Sequence, residues 1–451
     1  MKNIVKNLRC IFFIILVFIS LKSVEQNYAQ GKNGKKVLKE MNLIKVWSGH
    51  PVGFKILTTD KYQYVAFYDS LRNMCIAQRN IENENWKITK LASVVGWDSH
   101  NYIDMVQDKD GYIHIAGNMH CVPLVYFRSK RPDDINDFEK LSMTGDRENR
   151  VTYPVFFNDA KGNLFFQYRD GQSGDGVTLW NKYEEKIKKW TRVFDHGIFD
   201  GEGETNAYSS NPRLGPDGYF HIAWMWRATP IANTCHNLSY MRSKDLVHWE
   251  SAQGKPLSLP VKWRDSKVFV DPTGPWNGLI NSNFSLCWDN KKRLCITYHK
   301  YDRDGVSQIF VARWEMSEWK ISQISQWKDY RWNIDDNGSL GSKIGSLVLK
   351  PIGNNRLIGE YYNEKYGKGL WVIDENNFRI IKDLPGQSDN YLPKVLSDQK
   401  IQNQGMQINR RTDNTGKYIL QWETFPTFQD RPRNSPYPAP TWLKVIRLSD
   451  I

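Results

Sequence analysis

Short segments that alternate apolar and polar residues recur along most of the chain, and each follows a turn rich in Asp, Asn and Gly. The clearest copies are DKDGYIHIAGNMHCVPLVYFRSK from Asp108 and GPDGYFHIAWMWRATPIANTCHNLSYMRSK from Gly215. Weaker copies begin at Thr58, Asn158, Asp289, Ile352 and Thr412. Period-two alternation predicts strands, and helical periodicity is nearly absent. The pattern therefore predicts an all-β fold built from seven similar units.

Seven units of a few short strands each are typical of a seven-bladed β-propeller. No low-complexity linker interrupts the series, so we expect residues 30–451 to form one domain. The segment WSGHPVGFKI, which starts at Trp47, is expected to pair with the C-terminal VIRLSD and to close the ring. Such a closure would remove a free sheet edge.

The first 29 residues predict an export signal. Three basic residues precede an apolar run from Cys10 to Leu21, and Ala29 offers a small residue for cleavage. The run is too short to span a bilayer comfortably, and no other stretch is apolar enough to cross a membrane. The mature protein is therefore expected to be periplasmic or secreted, without stable insertion into a membrane.

The chain of 451 residues is basic, with 62 Lys and Arg against 49 Asp and Glu and a formal net charge of +13. Removal of the signal would lower this charge to +10, because residues 1–29 carry four basic and one acidic side chain. A basic surface favours an anionic partner. For an exported protein, an acidic polysaccharide is favoured over nucleic acid, and a solvated basic surface without a partner remains the alternative.

Residues that depart from the repeat are candidates for a functional site. His114 and His221 occupy the same place in the two clearest copies, so both are predicted to be structural. His120 aligns with Thr234 instead, and His100 lies between two repeats. These two histidines are therefore candidates for chemistry.

Tyr153 and Arg169 lie shortly after the two histidines in the chain, and Arg169 opens the glycine-rich segment DGQSGDG. Abstraction of a proton beside a carboxylate needs a cation to neutralise that carboxylate, a base and an acid for the leaving oxygen. Arg169, a histidine and Tyr153 could supply these three groups. A structural ion pair of Arg169 with Asp170 or Asp175 is the alternative.

The order His100, His120, Tyr153 and Arg169, set among seven repeats, resembles the BNR-repeat-like seven-bladed propellers that include ulvan lyases and rhamnosyl-glucuronate lyases. The most specific features are the twenty-residue step between the histidines and the sixteen-residue step from Tyr153 to Arg169. The resemblance implies that the histidines share base and positioning roles, that Tyr153 donates or relays the proton, and that Arg169, with Arg331, binds the uronate carboxylate. It requires no cofactor. Some relatives bind a structural calcium or zinc ion, but the sequence contains no motif that identifies a metal site.

A sister group of these propellers consists of α-L-rhamnosidases that hydrolyse the L-rhamnose-α-1,4-glucuronate linkage on the opposite face, with a single histidine in a GHPVGF-like segment. His50 in WSGHPVGF matches that histidine. We therefore expect a secreted enzyme that cleaves this linkage in acidic polysaccharides, with hydrolysis through His50 slightly favoured. The alternatives are a polysaccharide lyase acting through His100, His120, Tyr153 and Arg169, or a non-catalytic glycan-binding propeller.

Overall fold

The structure is a computed structural model that describes residues 35–172, 175–281, 283–337, 340–385, 396, 405–428 and 430–450. The predicted export signal, residues 1–29, lies outside these ranges. Among the helices that the structure describes, none is long and apolar enough to cross a membrane.

Within the described residues, the strands form seven sheets of four to six strands and one separate two-stranded pair. Strand β1 (Val37–Val46) precedes the first sheet. The first sheet contains β2 (Lys55–Thr58), β3 (Tyr62–Tyr68), β4 (Asn73–Asn80) and β5 (Lys87–Val94). The second contains β6 (Ile103–Gln107), β7 (Ile113–Gly117), β9 (Tyr126–Ser129) and β10 (Phe138–Lys140). The third contains β11 (Val151–Asn158), β12 (Leu164–Gln172), β13 (Asp175–Glu184) and β14 (Lys189–Arg192), and it is extended by β8 (His120–Val122).

The remaining four sheets follow in chain order. The fourth contains β16 (Asn206–Ser209), β17 (Arg213–Leu214), β18 (Phe220–Arg227), β19 (Cys235–Ser243), β20 (Trp249–Glu250) and β22 (Phe269–Asp271). Beside it, β15 (Phe199–Asp200) pairs with β21 (Val261–Lys262), and 3₁₀ turns cover Ala232–Thr234 and Ser266–Val268. The fifth contains β23 (Phe284–Trp288), β24 (Leu294–Tyr301), β25 (Ser307–Glu315) and β26 (Glu318–Gln323). The sixth contains β27 (Lys350–Pro351), β28 (Arg356–Asn363), β29 (Gly367–Asp374) and β30 (Ile380–Pro385). The seventh contains β31 (Gln407–Thr412), β32 (Tyr418–Thr424), β33 (Thr441–Leu448) and β1.

Each predicted repeat begins at the turn between the first and second main strands of one sheet. In the second sheet, the carboxylate of Asp108 accepts hydrogen bonds from the backbone N–H groups of Asp110 and Tyr112, at 3.0 and 2.8 Å. Equivalent aspartates hold the same turn in three other sheets, namely Asp159, Asp289 and Asp413. Aspartate favours such turns because its side chain bonds to the backbone that follows it. The predicted all-β, seven-bladed propeller is confirmed.

The ring is closed by a different segment from the one that the sequence suggested. Strand β1 pairs antiparallel with β33, from Val37 opposite Leu448 to Val46 opposite Thr441. The end of WSGHPVGFKI instead forms β2, the first strand of the first sheet. The prediction of the closing segment was wrong because it missed β1. This outer strand has only two buried residues, and it therefore lacks a strong hydrophobic alternation.

The first strands of four sheets line a shared cavity. Residues of β2, β6, β11 and β31 line a cavity of about 970 Å³, in which Lys55 and Asp104 form an ion pair at 2.8 Å. The aspartate turns lie at one end of these strands. The starts of the first strands and the ends of the second strands therefore share the opposite face, which we call the open face, and the candidate residues lie there.

The repeated histidines are structural, as predicted. His114 is fully buried and bonds Tyr126 Oη at 2.7 Å and Asp108 at 3.1 Å. His221 makes the same two kinds of contact in the fourth sheet, with Tyr240 and Asp217. Both ring nitrogens of each histidine are used inside one blade, so neither is available to a ligand.

Candidate active site

Two histidines share one carboxylate on the open face, where β6 begins. One oxygen of Asp98 accepts hydrogen bonds from the backbone N–H of His100 at 2.8 Å and from its Nδ1 at 2.7 Å. The other oxygen of Asp98 accepts a hydrogen bond from Nδ1 of His120. The two imidazole rings lie 4.2 Å apart between centroids. We call Asp98, His100 and His120 the His–Asp group.

His120 reaches this group because its strand leaves the repeat pattern. Strand β8 does not join the second sheet but pairs with β11 of the third, with His120 opposite Thr152. Cys121 has φ of +57° and donates its backbone N–H to Thr152 Oγ1 at 2.8 Å. The irregular strand thus ties the second blade to the third and explains why His120 has no counterpart in the other clear repeat.

Tyr153 lies at an irregularity in the same ladder. The register of β11 against β12 shifts between Thr152 and Val155, and Tyr153 has φ of +59°. A positive φ is strained for an aromatic residue, and such strain is concentrated at functional sites. The Tyr153 ring lies 5.8 Å from the His100 ring and 4.8 Å from Cζ of Arg169.

Arg169 is buried, with 6% of its surface exposed, and its Nε has no hydrogen-bond partner among the described residues. The predicted alternative, an ion pair with Asp170 or Asp175, is not formed. Asp170 instead pairs with Arg147 at 2.9 Å, and Asp175 pairs with Arg150 at 3.3 Å. In the part of the chain that the structure describes, no carboxylate forms an ion pair with Arg169. An unbalanced buried cation favours binding of an anion.

Gly176 makes room for the Arg169 side chain. A Cβ atom at Gly176 would lie 2.7 Å from Arg169 Cδ and 2.9 Å from its Cγ. At Gly171, which has φ of +113°, a Cβ atom would lie 2.1 Å from the backbone oxygen of Asp175. The glycine-rich segment therefore permits a close approach of backbone to backbone and of backbone to the arginine.

A cavity of about 350 Å³ lies beside Tyr153 and Arg169. Its polar walls also include residues that the sequence analysis did not select, namely Gln167, Thr178, Tyr208, Ser209, Asn211 and Asn281. A second guanidinium backs this wall, because Cζ of Arg227 lies 5.7 Å from the Tyr208 ring and Arg227 donates to Asn281 Oδ1 at 3.4 Å. The polar segment GEGETNAYSSNPR, residues 201–213, contains Tyr208 and Asn211, and its polarity is the sequence signal that could have found this wall.

A second cavity, of about 590 Å³, includes Asp98 and His120 in its wall. Trp97, Leu124 and Lys140 also line it. The His–Asp group therefore borders this second cavity. His100 also contacts Tyr153, which lies in the wall of the cavity beside Arg169. This arrangement suits an extended ligand that passes over the histidines.

The electrostatics of the site favour an ionised Asp98 and a neutral phenol at Tyr153. Burial alone would raise the pKa of Asp98, but hydrogen bonds from His100 and His120 hold it well below its usual value. The hydrogen bond to Asp98 raises the pKa of His100, against the effect of its burial. Burial raises the pKa of Tyr153, and the nearby Arg169 only partly offsets this shift. Tyr153 therefore carries its proton at neutral pH.

His50 lies on the same face as the His–Asp group and not on an opposite one. Its ring is 5.8 Å from that of Trp97, the residue before Asp98, and its Nδ1 accepts a hydrogen bond from Trp47 Nε1 at 3.0 Å. His50 is only 2% exposed. Burial lowers its pKa, although the carboxylates of Asp98 and Asp430 act in the other direction. His50 is therefore packed behind the His–Asp group, out of reach of a substrate.

Arg331 is not brought into contact with the other candidates. Its guanidinium lies 3.7 Å from the ring of Tyr301 and donates to the backbone oxygen of Gly305 at 2.9 Å. Both partners belong to the fifth blade, whereas Arg169 lies in the third. The expectation that Arg331 assists Arg169 has no support in these contacts.

The His–Asp group is the candidate for metal binding among the described residues. Among the described residues, it is the one set of three His, Cys, Asp or Glu side chains whose donor atoms lie within 4.8 Å of one another. Two imidazole nitrogens and one carboxylate suit Zn²⁺, whereas Ca²⁺ prefers oxygen ligands throughout. The same atoms already hydrogen-bond to each other, so the group is satisfied without an ion.

Comparison with curated proteins identifies ulvan lyases as relatives. The chain is 37% identical over 163 residues to the short isoform of ulvan lyase from Alteromonas sp. (strain LOR), a match that covers 31% of this chain and 30% of the relative. It is 21% identical over 261 residues to the long isoform from the same strain, covering 57% of this chain and 22% of the relative. The chain thus matches less than a third of the length of either relative.

Solved structures support the fold. The polysaccharide lyase Uly1 superimposes with a TM-score of 0.59 at 14% identity, over 91% of this chain and 99% of that structure. A PL25 ulvan lyase bound to -[GlcA(1-4)Rha3S]- superimposes with the same TM-score and identity, over 91% of this chain and 96% of that structure.

The expectation of a glycoside hydrolase acting through His50 is wrong. The curated relatives are ulvan lyases and not rhamnosidases. The structure offers the physical reason, because His50 is buried and its Nδ1 is occupied by Trp47. A general acid or base must reach the atom whose proton it transfers.

Family membership follows from the repeats themselves. The model of the BNR repeat-containing family matches residues 62–327, which is more than half of the chain and extends from the first blade to the end of the fifth. The chain therefore belongs to the BNR repeat-containing family.

Proposed function

We propose that this protein is a polysaccharide lyase that cleaves a uronate-containing polysaccharide by β-elimination. The observation that carries the proposal is the buried Arg169, which lacks a carboxylate partner in the described part of the chain and lies against Tyr153, whose ring contacts His100. Elimination beside a carboxylate needs this combination of cation, base and acid. The match to ulvan lyases supports the same reaction class.

Arg169 would bind the uronate carboxylate. A guanidinium can donate two parallel hydrogen bonds to a carboxylate and remains charged at all relevant pH values. Because the guanidinium neutralises the carboxylate, it stabilises the carbanion that forms at the neighbouring C5. The cavity of about 350 Å³ beside Arg169 provides the space for one sugar ring.

One of the two histidines would then remove the proton from C5. The electrons of the broken C5–H bond form the C4–C5 double bond, and the C4–O bond to the preceding sugar breaks. Tyr153 would supply the proton that the departing oxygen needs, since its raised pKa keeps the phenol protonated. The products are an unsaturated uronate and a free hydroxyl on the leaving sugar, without consumption of water.

The substrate we propose is a polysaccharide that contains rhamnose–glucuronate linkages, as in ulvan. Two findings support this choice: the relatives are ulvan lyases, and the basic sequence suits an acidic polymer. The enzyme would meet such a polymer outside the cytoplasm, which agrees with the export signal predicted from residues 1–29.

The test uses purified protein with ulvan and with the disaccharide L-rhamnose-α-1,4-glucuronate in heavy-oxygen water. We expect an unsaturated, ultraviolet-absorbing uronate without solvent oxygen at the cleaved bond. A saturated glucuronate, released together with rhamnose that carries one solvent oxygen at its anomeric carbon, would refute the elimination. Binding of ulvan without any product would instead indicate a non-catalytic glycan-binding propeller.

Two arginine variants sharpen the test. Arg169→Lys keeps the charge but loses the two-pronged contact, so we expect kcat/KM to fall by on the order of 10²-fold. Arg150→Ala is the matched control. Arg150 lies on the same rim but is half exposed and pairs with Asp175, so its removal should leave activity within about threefold.

A further inference from the structure

We infer that Asp98 is the positioning residue of this site, and that its single carboxylate fixes both histidines with Nε2 directed to the substrate. The inference rests on the proposed lyase function. It concerns a residue that stands outside the group His100, His120, Tyr153 and Arg169, on which the family resemblance depends.

The hydrogen bonds determine which nitrogen of each ring carries the proton. An ionised carboxylate only accepts hydrogen bonds, so Nδ1 of His100 and Nδ1 of His120 must each donate to Asp98. A neutral imidazole that donates through Nδ1 has its lone pair on Nε2. In the described part of the chain, no hydrogen bond to either Nε2 is found. One carboxylate therefore prepares two bases at once.

The two buried Asp–His pairs of the second and fourth blades are built differently. In the second and fourth blades, the aspartate bonds Nε2 of His114 or His221, and a tyrosine hydroxyl occupies Nδ1. Both nitrogens are then satisfied and the ring is buried. In the His–Asp group the aspartate uses Nδ1 only, and the side chains of His100 and His120 are 18% and 30% exposed. The open Nε2 atoms, in rings that border the two cavities, distinguish the His–Asp group from these two buried pairs.

Residues from near both ends of the chain fix the backbone on each side of Asp98. The preceding Trp97 packs against His50 of the N-terminal segment and against Tyr437 of the last blade, with ring centroids 5.8 and 5.4 Å apart. The following Ser99 donates its N–H and its hydroxyl to Asp430, both at 2.8 Å. This support fixes the backbone on each side of Asp98, as a carboxylate that orients two rings requires.

The test compares Asp98→Asn with the wild type. An asparagine at this site can accept from one Nδ1–H but presents N–H to the other, so one ring must change its tautomer or turn away. We expect kcat to fall by on the order of 10²-fold or more while KM changes by less than about threefold. Asp217→Asn is the matched control, because it alters the Asp–His pair of the fourth blade and should leave both constants unchanged.

A second measurement separates this inference from the proposed function. Ring ¹⁵N spectra of histidine-labelled protein report the tautomer of each imidazole without substrate. We expect Nδ1–H forms for His100 and His120 in the wild type, and loss of that form for at least one of them in Asp98→Asn, with His114 unchanged as a sign of intact folding. Unchanged tautomers, or a stoichiometric metal ion in the wild type that Asp98→Asn loses, would overturn the inference. A wild type that makes no unsaturated product would refute the lyase function and leave the tautomer result to stand alone.

Discussion

Trp47 donates its indole N–H to Nδ1 of His50 at 3.0 Å, in a cluster of aromatic rings that supports the turn carrying Asp98. His50 is therefore a buried packing residue and not a proton donor to a glycosidic oxygen. We predict that His50→Gln keeps elimination activity within about tenfold, because a glutamine oxygen can accept the Trp47 hydrogen bond. The free energy of unfolding should fall by about 0.5–1.5 kcal/mol, because the ring contacts of the imidazole with Trp47 and Trp97 are lost.

Initial rates on ulvan and a urea unfolding curve for His50→Gln would check both parts. His120→Gln is the contrast, since it removes an imidazole that lines a cavity. It should lose most activity with little change in stability. Complete inactivity of His50→Gln in a stably folded protein would contradict the packing role.

Gly176 gives a prediction about the Arg169 side chain. Gly176→Ala would place a Cβ atom 2.7 Å from Arg169 Cδ, so the guanidinium must shift from its place beside the cavity. We expect KM for ulvan to rise by about tenfold or more, since a shift of this size misplaces the carboxylate contact. Gly341→Ala is the control, because a Cβ atom there meets nothing within 4 Å. Steady-state kinetics on both variants would check this, and equal KM values would exclude the predicted crowding.

The fold could be read from the sequence because the turn after the first strand repeats a chemical motif in four of the seven sheets. Asp108, Asp159, Asp289 and Asp413 each bond the backbone of their turn, so the local sequence is constrained at these four turns. Strand β1 was not predicted, because an outer strand needs no alternation of apolar and polar residues. Its pairing with β33 depends on residues that lie some four hundred positions away in the chain.

The site was only partly predictable. His120 could be selected because it breaks the repeat, and the structure brings it together with His100, Tyr153 and Arg169. Asp98 could not be selected, because the sequence holds 49 acidic residues and no spacing rule marks the one that lies between two imidazoles. The placement of His50 and Arg331 depends on which blades lie next to each other on the open face, and local patterns do not contain that information.

The titration of His100 gives a prediction about pH. His100 is faced by Asp98 at 2.7 Å, by Asp430 at 3.7 Å, by the rings of His120 and Tyr153, and by the more distant charge of Arg169. The two carboxylates raise its pKa above 6.5, whereas burial lowers the pKa of His236 to about 4. An NMR titration of ring protons should therefore show His236 titrating far below His100. The reverse order would contradict the charge arrangement.

The same shifts predict how stability depends on pH. A raised folded-state pKa means that His100 stabilises the fold below its unfolded pKa, and that this contribution is lost as pH rises through the folded value. The lowered pKa of Asp98 acts oppositely: its contribution is present above an unfolded value of about 3.9 and is lost as pH falls through the folded one. Urea unfolding from pH 4 to 9 should show a smaller loss of stability on the alkaline side for His100→Gln than for the wild type.

Tyr153→Phe tests the proton donor, because it removes one oxygen and retains the ring that contacts Arg169 and His100. The positive φ of residue 153 is set by the irregular ladder between β11 and β12, so the backbone should keep its place. We expect kcat to fall by about 10²–10⁴-fold, the usual contribution of general acid–base catalysis, with KM nearly unchanged. A leaving group of low pKa, such as a nitrophenol attached at C4 of the uronate, needs no proton and should recover most of the lost rate. If the variant is equally slow on both substrates, Tyr153 acts through position alone and the acid must come from another group on the open face.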